Sequence, residues 1–349
     1  MEQSKNRILY LDFTKFFAIF CVVWGHSIQY LQTHDFFHNP IFEFIYSFHM
    51  PLFMSISGFF ALNSLKAPFI QLITKKSREL LLPCITWGIL TTCTIWILKG
   101  IFKNEMPSIH LLSGNLMGNL WFLKSLFLCY IVAFVSLKMM PNDKIAALIS
   151  ISFFIILPQF SYLYHLSFML PFFWAGFFIK KYLVKIEKKA TILLYISGLF
   201  FITMLFFWDG YYTIYCTSFK LPTNVFFSFN KDFAYIIAIA CFRFSIGLCG
   251  TIFFILLFRK ICQKHKNNKF IDYTSSHYGK YTMGIYILQS FILEYHRYPS
   301  MNFNGYDWLY NWITTPLYTM MIIMLSTFII KVIEKNKYLN FFLLGKKLS

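Results

Sequence analysis

Apolar runs as long as a bilayer core is thick succeed one another along this chain, each closed by a short charged or aromatic stretch. A helix rises about 1.5 Å per residue, so about 20 apolar residues cross a hydrocarbon core of about 30 Å. On that measure the pattern predicts ten membrane-spanning helices, at 8–31, 41–63, 80–100, 117–138, 144–158, 166–180, 190–208, 233–258, 281–297 and 310–332. The fifth and sixth are short and are expected to tilt, break or re-enter. The expected fold class is an all-α polytopic membrane protein, with one membrane domain at 1–338 and a short cytoplasmic tail at 339–349. No internal repeat of fixed period is visible, which counts against inverted-repeat transporters.

Composition agrees with the pattern. Of 349 residues 58% are hydrophobic and 13% charged, about half the charged share of a soluble domain. The net charge of +18 would suit nucleic acid, but its placement argues against that partner. If the N-terminus is inside and each run crosses once, 24 Lys and Arg fall on the cytoplasmic side and 5 on the outer side. An imbalance that alternates loop by loop is the signal that orients helices in a membrane. Both termini are therefore expected in the cytoplasm, in a multi-pass protein of the cytoplasmic (inner) membrane. The first run is read as a retained span, since Asp12 and Lys15 interrupt it and no small-residue cleavage site follows. The same topology puts His49, His110 and His165 near the outer face, and a long outer loop at 209–232.

That first span, RILYLDFTKFFAIFCVVWGHSIQY, carries the candidate chemistry. An ionisable group at membrane depth costs about 2.5–3.5 kcal/mol on insertion scales, which makes Asp12, Lys15 and His26 functional candidates. Lys15 and His26 are eleven residues apart. At about 100° per residue that is three turns plus about 20°, so both share a face, separated by about 16 Å. Neutral imidazole takes and returns protons near pH 7. The plainer readings are a snorkelling histidine and an Asp12–Lys15 pair that neutralises itself. On span two, His49, Ser57 and Gly58 are expected either to line a cavity shared with His26 or to pack helices. Lys75, Lys76 and Arg78 are expected either to hold a phosphorylated ligand or to signal orientation. Trp121 is a belt residue or a cavity wall. Lys124, Arg243 and Glu294 are further intramembrane charges, expected to pair with one another or with Asp12. Six of the eight cysteines lie inside spans without CxxC spacing, which favours structural thiols over a metal site or a disulfide framework. HExxH, Walker A and GxSxG motifs are absent.

Six segments in order, LDFTKFFAIFCVVWGH at 11–26, MPLFMSISGFF at 50–60, KKSRELLLP at 75–83, NLWFLKSLF at 119–127, LPFFWAGFFIKK at 170–181 and GKYTMGIYILQS at 279–290, resemble the acyltransferase-3 family of integral-membrane acyltransferases. Lys15 stands where that family commonly has arginine, Arg78 matches the second arginine of its RxxR, and Gln289 stands where its ninth-span motif often has histidine. The resemblance, to the stand-alone form of the family, implies an acyl-CoA donor, most often acetyl-CoA, entering from the cytoplasm. It implies an acceptor that is a sugar hydroxyl of a surface or lipid-linked glycan, approached from outside. His26 would be the general base, with Lys15 and Asp12 beside it. Lys75, Lys76 and Arg78 would hold CoA phosphates, and His49, Ser57, Gly58, Trp121 and Tyr281 would line the acceptor cavity. Direct transfer is the preferred route; an acyl intermediate on histidine or on Cys21 is the alternative. Other function classes compatible with the residues are a transporter or flippase relaying charge through Lys15, Lys124, Arg243 and Glu294, and a non-catalytic subunit of an envelope-assembly complex.

Overall fold

The computed structural model describes residues 8–31, 36–103, 109–118, 120–156, 163–210, 212, 231–265, 268–294 and 307–348. Most of the expected outer loop, at 213–230, lies outside the described residues, as do Cys216, His34 and His296. Every regular element among the described residues is a helix. In chain order they are α1 (Leu9–Leu31), α2 (Pro40–Ser64) and α3 (Phe69–Lys76), which runs through a π turn (Ser77–Leu81) into α4 (Leu82–Lys103). Then follow α5 (Ile109–Gly118), α6 (Trp121–Met139), α7 (Asp143–Ile156), α8 (Leu163–Lys181), α9 (Leu183–Lys188) and α10 (Ala190–Leu205). The last are α11 (Lys231–Lys264), α12 (Lys269–Glu294), α13 (Thr315–Glu334), entered through a π turn at Tyr310–Thr314, and α14 (Lys337–Leu344).

Each of the ten predicted segments overlaps a helix, and among the described residues six helical stretches are long and apolar enough to cross a membrane: Leu9–Leu31, Pro40–Ser64, Phe69–Leu98, Trp121–Met139, Ile237–Lys264 and Asp307–Glu334. The other four fall short for visible reasons. α7 has 14 residues and α10 has 16. α8 ends in Lys180-Lys181, and α12 begins a dozen residues before the predicted run with Lys269, Asp272, His277 and Lys280.

Helices α1 and α2 are the axis of the bundle. α1 packs on α2, α11, α12 and α13, and α2 packs on α8 and α11 as well. α2 starts where Asn39 accepts hydrogen bonds from the amides of Ile41 and Phe42, with Pro40 at the first helical position, a strong start signal. Its crossing with α8 is set by small residues. A Cβ on Gly58 would collide with the Phe173 carbonyl, and one on Gly176 with the Ser55 carbonyl. Between them the Ser55 hydroxyl donates to the Phe172 carbonyl at 3.0 Å. Gly58 is thus a packing residue, not a cavity wall, because its open side is filled by the α8 backbone.

The two ends of the bundle differ. One gathers basic residues: Lys180 lies over the Phe59 ring, Arg259 pairs with Glu187 at 3.1 Å, and Lys181 pairs with Asp143. The other gathers aromatic and histidine side chains. There the Trp24 indole donates to Thr315 Oγ1 at 2.8 Å and the Tyr310 hydroxyl donates to the Ile28 carbonyl at 2.9 Å. The region expected as a tail after 338 is largely helix α14, which closes on Gly345 at φ +64°. It docks on the bundle through the Trp87 indole, which donates to the Leu343 carbonyl, and through Arg78 Nε, which donates to the Gly345 carbonyl at 3.3 Å.

Candidate active site

The buried face of α1 supplies Lys15, Val22 and His26 to two adjoining cavities. The basic-end cavity, about 220 Å³, is walled by Lys15, Ser57, Phe60, Lys76, Tyr130 and a sleeve of Phe, Leu, Ile and Met side chains. The aromatic-end cavity, about 300 Å³, is walled by His26, His49, His165, Trp121, Tyr46 and Arg243. Val22, Met50 and Tyr286 belong to both walls. A partition three side chains wide therefore separates the ammonium end of the path from the imidazole end.

In the basic-end cavity Lys15 Nζ sits 3.0 Å from Asp12 Oδ1 and 4.2 Å over the centre of the Phe60 ring. Lys76 Nζ is held 2.9 Å from Glu79 Oε2 and 4.4 Å over the Tyr130 ring. Both cations are half-neutralised by a carboxylate one turn away and face an aromatic wall. The basic trio that the sequence groups together is split by the π turn. Lys76 faces the cavity, Lys75 is exposed with Glu79 at 4.0 Å, and Arg78 is turned to the Gly345 carbonyl.

In the aromatic-end cavity His49 Nδ1 lies 2.7 Å from the Ile45 carbonyl oxygen. A carbonyl only accepts, so Nδ1 carries the proton, and in the neutral ring Nε2 is the acceptor. The Trp121 indole stacks on His165, centroids 4.3 Å apart. Trp121 follows Leu120, a buried residue whose φ of +51° lies in the left-handed region, a conformation that costs a bulky side chain energy and clusters at functional sites. Arg243 is buried, with its guanidinium 4.5 Å from the Phe168 ring centre and NH1 donating to the Tyr212 carbonyl at 3.0 Å.

The structure brings Lys15, Ser57, Lys76, His26, His49, Trp121 and Arg243 to the two cavity walls. It does not bring Tyr281, whose hydroxyl donates to Glu334 Oε2 at 2.9 Å on the far side of α12; Tyr286, five residues and about 140° around the helix, takes that place. Lys124 Nζ donates to the Leu116 carbonyl at 2.6 Å in the last turn of α5, the ordinary place for a lysine that closes a helix. Asp12 takes Lys15 as its counter-ion, while the Glu294 side chain lies outside the described residues. Cys21 is buried in the apolar packing between helices, in neither cavity wall. Among the wall residues that the sequence does not single out are His165 and Tyr286. Tyr286 was available in principle, since it shares a helical face with Thr282 and Met283; His165 was not, because only the fold puts α8 beside α6.

The fold and the site define a bundle of apolar helices around two adjoining cavities, one lined by ammonium groups and one by imidazoles. The acyltransferase domain of the acyltransferase-3 family matches residues 8–333, and the chain belongs to that family. It is similar to nodulation protein NolL of Mesorhizobium japonicum, 38% identical over 138 residues, which cover 37% of this chain and 36% of that protein. It is also similar to nodulation protein NolL of Sinorhizobium fredii, 30% identical over 203 residues, 55% of this chain and 53% of that protein. The chain thus spans between about a third and about half the length of these relatives. No solved structure matches it.

Proposed function

We propose that this chain transfers an acyl group, acetyl in the simplest case, from acyl-CoA to a sugar hydroxyl of a surface or lipid-linked glycan. In this reading the ten segments each cross the inner membrane, both termini are cytoplasmic, and the basic end faces the cytoplasm. The observation that carries the proposal is the partition of Val22, Met50 and Tyr286 between a cavity holding Lys15 and Lys76 and one holding His26. The thioester arrives in the basic-end cavity with its anionic portion toward Lys76, reaching past the cavity wall to Arg78 beside Gly345. The acceptor hydroxyl arrives beside His26.

The chemistry then needs a base at the acceptor and a cation that holds the donor. His26 takes the hydroxyl proton as the oxygen attacks the thioester carbonyl. The tetrahedral intermediate collapses, the carbon–sulfur bond breaks, and the proton returns from His26 to the departing CoA sulfur. Lys15, tethered by Asp12 on the basic-end side of the partition, positions the donor there. An aromatic-end cavity lined by Trp121 and three histidines suits a sugar ring, which stacks on an aromatic face and exchanges hydrogen bonds at its rim.

The test is transfer of label from labelled acetyl-CoA to glycan acceptors by purified protein. His26→Ala is expected to lower transfer at least about 10²-fold, the usual worth of a positioned base, with acyl-CoA binding retained. Transfer that survives the substitution would remove His26 from the chemistry.

A further inference from the structure

Away from the catalytic path, α10 and α11 leave a groove of about 490 Å³ on the lateral surface of the bundle. Its floor is made by Gly198 and Phe253. A Cβ on Gly198 would come within 2.9 Å of the Phe253 ring carbons, so the glycine lets that ring pack directly on α10 and form the floor. Its sides are Leu199 and Ile202, which are 68% and 53% exposed. At one end stand Lys260, Lys264 and His265. Lys260 Nζ donates to the Tyr195 hydroxyl at 3.3 Å and lies 5.1 Å from that ring's centre, so it is folded back over the groove mouth.

The dimensions fit one kind of occupant. From Phe253 to Lys264 is eleven residues along α11, about 16 Å, or half of a hydrocarbon core of about 30 Å. An apolar trough one leaflet deep that ends in two ammonium groups complements a molecule with a fatty chain and an anionic head. We propose that this groove is a binding site for an anionic phospholipid. One acyl chain lies along Gly198, Ile202 and Phe253, and the phosphate sits between Lys260 and Lys264. Lysine tips are strong partners for phosphate oxygens, and each such cation at a membrane surface favours anionic lipid by about the same energy whatever the protein. What distinguishes this site is the trough behind the cations.

Native mass spectrometry of the full chain, released from nanodiscs of mixed phosphatidylglycerol and phosphatidylcholine, tests it. The wild type is expected to retain phosphatidylglycerol about tenfold over phosphatidylcholine, a factor within the worth of one charge-assisted bond. Lys260→Ala with Lys264→Ala should abolish the preference, and Lys346→Ala with Lys347→Ala, an equal loss of exposed charge elsewhere, should keep it. Leu199→Trp, which fills the trough and spares the cations, should also expel the lipid; its exposed position protects the fold. Equal retention of the two lipids, a preference surviving in the groove variants, or displacement of the lipid by inorganic phosphate would each overturn the proposal.

Discussion

Lys15 holds a charge among apolar side chains by two contacts at once, the Asp12 carboxylate and the face of Phe60. The pair is not fully dry, with the lysine side chain 23% and the aspartate 11% exposed. Breaking a buried pair strands its survivor at a cost of about 3–5 kcal/mol, while removing both members is close to neutral; partial exposure lowers the first figure here. Lys15→Ala is therefore expected to lower the melting temperature, and Lys15→Ala with Asp12→Ala to recover most of the loss. If Lys15 also serves the thioester, the double variant stays inactive in transfer although it is stable. Recovery of activity together with stability would reduce the pair to self-neutralisation.

The three basic residues around the π turn offer a graded test at the same scale. Lys76→Ala and Arg78→Ala are expected to raise the apparent KM for acyl-CoA about tenfold, the scale of one lost charge-assisted bond, with the acceptor KM little changed. Lys75→Ala, at an exposed position with a loose carboxylate contact, should stay within about twofold. A rise in acceptor KM instead would place these cations outside the donor's path.

At the scale of elements, the crossing of α2 and α8 depends on two glycines facing opposite backbones. Gly58→Ala or Gly176→Ala forces these helices apart and is expected to cost about 1–3 kcal/mol, read as an earlier thermal transition. Gly114→Ala on α5 has no atom within 4 Å of the new methyl and should leave the transition unchanged or later. These glycines also show how far sequence reading reaches. Runs of apolar residues reveal that a segment is a helix, and spacing reveals which residues share its face, so Asp12, Lys15, Val22 and His26 were legible together. Neither reveals which helix comes to lie on that face. Gly58 and Ser57 are neighbours of similar size, yet one meets α8 and the other a cavity. Tyr281 and Tyr286 sit in one motif, and only the packing of α12 on α1 decides that the second faces the path. α5 is not legible as a span because its ten residues, with Ser113, Gly114 and Asn115 among them, are too short and too polar; buried Asn115 donating to Thr92 Oγ1 at 2.9 Å ties it to α4.

Across the whole molecule, two adjoining cavities meet along Val22, Met50 and Tyr286. Lys15 and His26 lie about 16 Å apart along α1, roughly the reach of an extended thioester arm and too far for either residue to do the other's work. Under the proposed mechanism the acyl carbon crosses between Val22, Met50 and Tyr286, which border both cavities, to reach a hydroxyl at His26. That requirement separates transfer from binding. Met50 is half-buried and borders both cavities, so Met50→Trp narrows the crossing while leaving Lys76, Arg78, Trp121 and His49 untouched. The expected result is a fall in kcat of at least about tenfold, the effect of about 1.4 kcal/mol on the barrier, with the KM values for acyl-CoA and acceptor within about twofold of wild type. Met50→Ala, which widens the partition, should keep kcat near wild type and admit longer acyl groups. If the tryptophan raised one KM and spared kcat, Met50 would belong to a single substrate's pocket, and the acyl group would have to cross the bundle elsewhere.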